Sequence, residues 1–191
     1  MLSKNSKTKK SLPWDEVEDA IKKEVDWLRQ VIDTFSDKED IIGGIPGIHY
    51  CRECLIRRIA ILILSGKIKA KQINRKAPLK SFWLAEKKDK KGVKIHGEEW
   101  HSQTMNQIED HFIKQKYEVI REPNLHWGRA DLGAYKKANP TIFVEVGTTS
   151  FSKLWINLAA MNSFTYLIVP DDDKLVEFSK VESKQDKKSP F

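Results

Sequence analysis

Apolar residues at Val17, Ala20, Ile21, Val25, Leu28, Ile32 and Phe35 recur every three to four positions, the period of one helix face. Pro13 and the acids Asp15 and Glu16 stand where a helix start tolerates proline and favours negative charge. The Gly43-Gly44-Ile45-Pro46-Gly47 run breaks the chain. A strongly apolar stretch, Cys51 to Leu64, then predicts a second helix, stopped by Ser65-Gly66 and packed on the first. From Lys67 to Lys94 periodic apolar positions are few, and the 87–92 stretch reads as a loop or hairpin tip. The pattern changes near Glu98. A helix from Glu98 to Lys116 is followed by strands at Tyr117 to Arg121, Arg129 to Tyr135 and Thr141 to Gly147, with turns at Pro123-Asn124 and Asn139-Pro140. Ser150 or Ser152 can cap a helix through Met161, and Thr165 to Val169 adds a strand before Pro170-Asp171-Asp172-Asp173. Lys174 to Phe178 reads as a short edge strand. The order αβββαβ is mixed α/β, of the α+β kind.

A chain of 191 residues with 40% hydrophobic and 32% charged side chains has material for a packed core and is neither disordered nor fibrous in composition. The longest apolar run, Ile59 to Leu64, is too short to span a bilayer, and the lysine-rich start lacks the apolar segment of a secretory signal. A cytoplasmic protein without membrane contact is the expectation. With only Cys51 and Cys54 there is no disulfide framework.

The net charge of +7 is unevenly spread. Residues 11–40 carry four basic against ten acidic side chains, whereas residues 52–94 carry fourteen basic against three acidic. Arg57, Arg58, Lys69, Lys71, Arg75, Lys76 and Lys80 lie in this basic stretch, with Phe82 and Trp83 among them. Such density suits phosphate contacts, although a solvated lysine-rich face has the same composition. The expected organisation is a flexible basic tail (1–10), a helical, basic, DNA-contacting module (11–95) for which a winged helix is one form, an α/β domain (96–180) and a disordered tail (181–191).

Three acids stand in places that disfavour acids. On a wheel of about 100° per residue, Glu109 falls inside the arc marked by Met105, Ile108, Phe112 and Ile113. It needs a cation, a metal or a donor there, unless the helix is rotated or an arginine meets it. Asp131 interrupts a strand-like run between Ala130 and Leu132, where aspartate is disfavoured. Glu145 lies inside Ile142-Phe143-Val144-Glu145-Val146-Gly147, a run expected of a strand buried on both faces. The fourteen positions between Asp131 and Glu145 permit adjacent antiparallel strands, so the two carboxylates can be neighbours. Two close carboxylates repel unless a cation bridges them, and hard oxygen ligands suit Mg²⁺ or Mn²⁺.

From Glu98 to Pro170 the chain resembles the PD-(D/E)XK, or restriction-endonuclease-like, nuclease superfamily, which includes junction resolvases and many restriction enzymes. The resemblance rests on Glu109 in the helix, Gly128-Arg129-Ala130-Asp131, and Phe143-Val144-Glu145-Val146-Gly147, together with the order of elements. It implies a restriction-endonuclease-like core, a divalent metal held by Asp131, Glu145 and the carbonyl of Val146 with support from Glu109, and hydrolysis of DNA. The family's lysine two positions after the second acid is here Gly147. Lys153, in the first turn of the next helix, is the candidate for a displaced lysine, against an exposed first-turn lysine as the plain alternative. Asn157, one turn further, either orients a water or phosphate or is a helix-surface amide.

Other groups are more ambiguous. Arg129 either contacts phosphate or pairs with an acid, and Trp127 and His126 either line a DNA groove or close a turn. His49, Cys51 and Cys54, with His96 or His101, make a weak zinc pattern. Thr148-Thr149-Ser150 suits either phosphate or a helix cap. The expected function is a metal-dependent DNA endonuclease, with a homodimer as a family-level expectation. The alternatives are a non-catalytic DNA-binding or regulatory protein that keeps the fold, and an interaction protein whose basic surface meets an acidic partner.

Overall fold

Trp14–Ile32 forms α1 and Arg52–Leu64 forms α2 in the computed structural model, which describes residues 13–32, 52–74, 98–147, 149–170 and 174–180. The apolar stripes of the two helices meet. Val25 and Leu28 of α1 are buried in one cluster with Leu55, Ile56, Ile59 and Ala60 of α2. α2 stops where Gly66 takes φ +73° and Lys67 N–H returns to the Leu62 carbonyl, a left-handed turn that glycine adopts without a Cβ clash.

The remaining elements are β1 (Lys69–Asn74), α3 (Glu98–Lys114), β2 (Glu118–Arg121), β3 (Leu132–Tyr135), β4 (Thr141–Val146), α4 (Phe151–Ala160), β5 (Phe164–Val169) and β6 (Lys174–Lys180). The six strands form one mixed sheet in the order β1-β6-β5-β4-β3-β2, with β4 and β5 parallel and every other pair antiparallel. The single parallel pair follows from α4 crossing over between its two strands. Along the chain, α3 to β5 runs helix, three strands, helix, strand, which is the mixed α/β order expected from the sequence.

Alternation along the strands sends side chains to two cores. Phe164, Tyr166 and Ile168 of β5 and Val176 and Phe178 of β6 face α1, α2 and α4. Leu132, Ala134, Val144, Val146, Leu167, Val169 and Leu175 face α3 through Met105, Ile108 and Phe112. Strands buried on both faces read as continuous apolar runs, which is why β5 was legible in the sequence.

Two expectations change. β6 is an inner strand rather than an edge, because β1 lies outside it and pairs with it from Lys69↔Ser179 to Asn74↔Lys174. β1 escaped the sequence pattern since only Ala70 and Ile73 pack against the cores, while its lysines suit an exposed edge that must not recruit another strand. The proposed division near residue 95 also falls within shared structure. β1 belongs to the same sheet as the 98–180 elements, and α1 and α2 share a core cluster with α4, β5 and β6. A helix with an apolar stripe must bury it, and the sheet face beside α4 supplies the surface. The 1–10 and 181–191 tails, and any wing within 75–97, lie outside the described residues. Among those described, no helix is long and apolar enough to cross a membrane.

Candidate active site at the ends of β4 and β5

The site forms where β3 begins and β4 ends. The β3–β4 register, Leu132↔Val144 and Gly133↔Phe143, leaves Asp131 just before β3, beside the end of β4 that carries Glu145. Asp131 N–H donates to the Val144 carbonyl at 3.0 Å, and Asp131 Oδ2 accepts from Val146 N–H at 2.6 Å. The aspartate thus closes the ladder with its own side chain, which answers why an acid is tolerated there. Nε2 of His101, from the first half of α3, stands 3.3 Å from the same oxygen.

Glu145 is buried to 4% exposure on the face of the sheet that α4 covers. Its Oε1 receives the Lys153 ammonium at 2.6 Å and the Tyr166 hydroxyl at 2.7 Å. Burial is the largest influence on this carboxyl and raises its pKa; the nearby Asp131 charge adds to that, while the Lys153 charge and the hydrogen bonds from Lys153 and Tyr166 oppose it. The Tyr166 phenol, itself buried beside this acid, is held well above its usual range and stays a donor. Tyr166 was not singled out in the sequence. The available signal was a hydroxyl on the inward face of an apolar strand, which must find a partner.

Lys153 reaches Glu145 from the first turn of α4, whose N-cap is Ser150; the Ser150 hydroxyl accepts from Lys153 N–H at 3.2 Å. The amine therefore meets Glu145 from the helix, not from the strand end at position 147. Gly147 is poorly placed to carry a side chain. Its φ of +91° suits glycine and strains any L side chain, and its N–H is fixed to the Val169 carbonyl at 2.8 Å.

Glu109 is not brought to this cluster. It pairs with Arg121 of β2, whose Nε lies at 2.9 Å and whose second nitrogen also bonds Asn106 at 2.6 Å. The expected apolar arc was too wide, because Ile113 is 54% exposed; the true stripe runs through Met105, Ile108 and Phe112, and Glu109 sits at its margin, met by an arginine. Eight residues separate it from His101, about 12 Å along the axis, so the α3 side chain at Asp131 is His101. Glu109→Gln is expected to cost no more than about 1 kcal/mol in urea denaturation, as partly exposed ion pairs do. It should leave any cleavage that depends on Glu145 within about two-fold of wild type. A cleavage loss as large as that of Asp131→Asn would return Glu109 to the site.

The basic residues are dispersed. Arg57 and Arg58 are exposed on α2, and the Arg58 guanidinium lies 4.7 Å from the centre of the Trp155 ring of α4. Lys69 and Lys71 lie on β1, three strand spacings or roughly 14 Å from β4, with Lys71 paired to Glu177 at 3.0 Å. Asn74 closes β1 at the sheet end where Glu145 lies, since β1, β5 and β4 run the same way. Arg75, Lys76 and Lys80 follow outside the described residues. Arg129 pairs with Glu122 at 2.8 Å rather than with Asp131. Of the zinc pattern, His49, Cys51 and His96 are not described, and His101 stands at Asp131.

Hydrogen bonds occupy Asp131 Oδ2 and Glu145 Oε1, whereas none among the described residues engages Asp131 Oδ1 or Glu145 Oε2. Among the described residues no three His, Cys, Asp or Glu side chains gather into a metal cage. Two carboxylates with a backbone carbonyl and water fit Mg²⁺, which binds through one or two carboxylates and keeps much of its water. Compared with family models, with curated proteins and with solved structures, the chain matches none.

Proposed function

We propose that this chain is a metal-dependent endonuclease that hydrolyses DNA phosphodiesters at the cluster of Asp131, Glu145 and Lys153. The observation that carries the reading is the Lys153 ammonium at 2.6 Å from buried Glu145, an amine restored to a carboxylate pair whose motif position holds Gly147. In this reading Asp131, Glu145 and the Val146 carbonyl would hold Mg²⁺ or Mn²⁺. The bound cation supplies a water of lowered pKa and neutralises charge on the phosphoryl oxygens. Tyr166 and Val146 N–H hold one oxygen of each carboxylate, which fixes both side chains in place. Lys153 donates to a non-bridging phosphate oxygen as its charge grows. The restriction-endonuclease-like core belongs to the same proposal, supported by the helix, three strands, helix, strand order from α3 to β5.

The basic stretch of residues 52–94 supports DNA as the substrate, through phosphate contacts. A non-catalytic DNA-binding protein is the alternative, and it is favoured by a Gly147 with no substitute amine; the position of Lys153 weighs against it. The test is cleavage of duplex, single-stranded and branched DNA in Mg²⁺ or Mn²⁺ by wild type and Asp131→Asn. Wild type is expected to cut at least one substrate and the variant none. Binding that falls steeply with salt, without cleavage of any substrate, would establish the alternative.

A further inference from the structure

Asn157 is fully buried on α4, one turn after Lys153, and its amide is saturated. Oδ1 accepts from Trp127 N–H at 3.0 Å, and Nδ2 donates to the Trp127 carbonyl and to the Lys153 carbonyl, both at 2.9 Å. Buried away from solvent and with both donors used inside the protein, Asn157 is not a helix-surface amide and has no donor to offer a phosphate. The same bonds tie the 122–130 excursion between β2 and β3 to the helix that bears the amine. The excursion is itself braced, by Leu125 N–H to the Gly128 carbonyl at 2.9 Å and Ala130 N–H to the Pro123 carbonyl at 3.1 Å. At its tip Gly128 has φ +71°, and a Cβ placed there would stand 3.7 Å from Lys153 Cε and 3.9 Å from Cδ. The turn therefore closes over the lysine stem.

We infer that Asn157 is a positioning residue for the Lys153 amine, acting through the Trp127-Gly128 turn. A lysine stem has several rotatable bonds, and delivering its amine from a helix rather than from the strand position needs a wall that limits those rotamers. The turn is that wall, and the Asn157 amide, with one acceptor and two donors, fixes its distance from α4. The purpose of the amine rests on the nuclease reading, but the clamp is measurable without catalysis.

The experiment is trace acetylation of the folded full chain with an N-hydroxysuccinimide ester, read at single lysines by mass spectrometry. Lys137, exposed in the β3–β4 turn, reports the unhindered rate. Lys180, bonded to the Met161 carbonyl at the other end of α4 at 3.1 Å, reports general loosening of that helix. In wild type Lys153 should react far more slowly than Lys137. Asn157→Ala is expected to speed Lys153 by about five- to thirty-fold, the scale of losing one or two buried hydrogen bonds, with Lys180 unchanged. Asn157→Ser, which keeps a buried hydroxyl but cannot span to both the Trp127 N–H and its carbonyl, should speed Lys153 in the same direction and serves if Asn157→Ala does not fold. An unchanged Lys153 rate in the folded variants, or a rise shared equally by Lys180, would overturn the clamp. Where wild type cleaves DNA, Asn157→Ala should lower kcat and leave KM for DNA unaltered. A protected Lys153 in a wild type that cleaves nothing removes the nuclease reading and leaves the clamp standing.

Discussion

Glu145→Gln is expected to abolish metal-dependent cleavage while making the fold more resistant to heat at pH 8. An amide holds Mg²⁺ far more weakly than a carboxylate, and losing the cation's stabilisation, about 4 kcal/mol, corresponds to about 10³-fold in rate. The gain in stability comes from burial. Because burial holds the Glu145 pKa above that of the unfolded chain, the folded state retains a proton that the unfolded state has released. Stability of wild type then falls as pH rises from about 4.5, the ordinary glutamate value, through the raised folded value, and stays lower above it. Glutamine has no such loss, and its side-chain oxygen can still accept from both the Tyr166 hydroxyl and the Lys153 ammonium. Melting in EDTA should show the two proteins alike near pH 4 and the variant higher at pH 8. A variant less stable than wild type at pH 8 would mean that Glu145 is chiefly a structural ion-pair partner.

Lys153→Met should act in the opposite sense on stability. Methionine keeps most of the stem that lies under Gly128 and removes the charge, so the largest influence opposing the raised Glu145 pKa disappears and the carboxyl titrates higher still. The added cost is absent below about pH 4.5, where the acid is protonated in folded and unfolded chains alike, and grows as pH rises through the folded pKa. At pH 8 the loss should approach about 3 kcal/mol, the lower end for breaking a buried ion pair, and less if Glu145 remains protonated. Urea denaturation at pH 4, 6 and 8 measures it. A gap between wild type and variant that does not change with pH would show that Lys153 contributes packing only. Cleavage by this variant should fall about 10²-fold or more, the loss expected when one preorganised donor to a developing charge is removed.

These two residues also mark how far sequence reasoning reached. Glu145 was conspicuous because an acid inside Ile142-Phe143-Val144-Glu145-Val146 contradicts its own strand, and Asp131 fell opposite it by counting residues through one turn. Lys153 was reachable through the resemblance, as a first-turn lysine able to stand in for the one absent at Gly147. Tyr166 required knowing that β4 and β5 are parallel with Glu145 beside Ile168, which sets the hydroxyl of the same-face residue two positions earlier against the acid. His101 was noted only within a weak zinc pattern, since its meeting with Asp131 depends on how α3 lies across the sheet. Glu109 misled because a helical wheel reports angle and not width, and the exposed Ile113 counted as core only on paper.

Local pattern alone determined the helices, the strands with inward apolar side chains and the order αβββαβ, because periodicity follows from which face each residue must bury. Tertiary structure decided what depends on partners distant in the chain. It put β1 outside β6, drew α1 and α2 into the core of the sheet, gave Glu109 to Arg121, and made Asn157, read as an orienting or helix-surface amide, the tie between α4 and the Trp127 turn. Each of these is a pairing of polar groups or edges that no single segment can satisfy, and only the assembled fold supplies the partner.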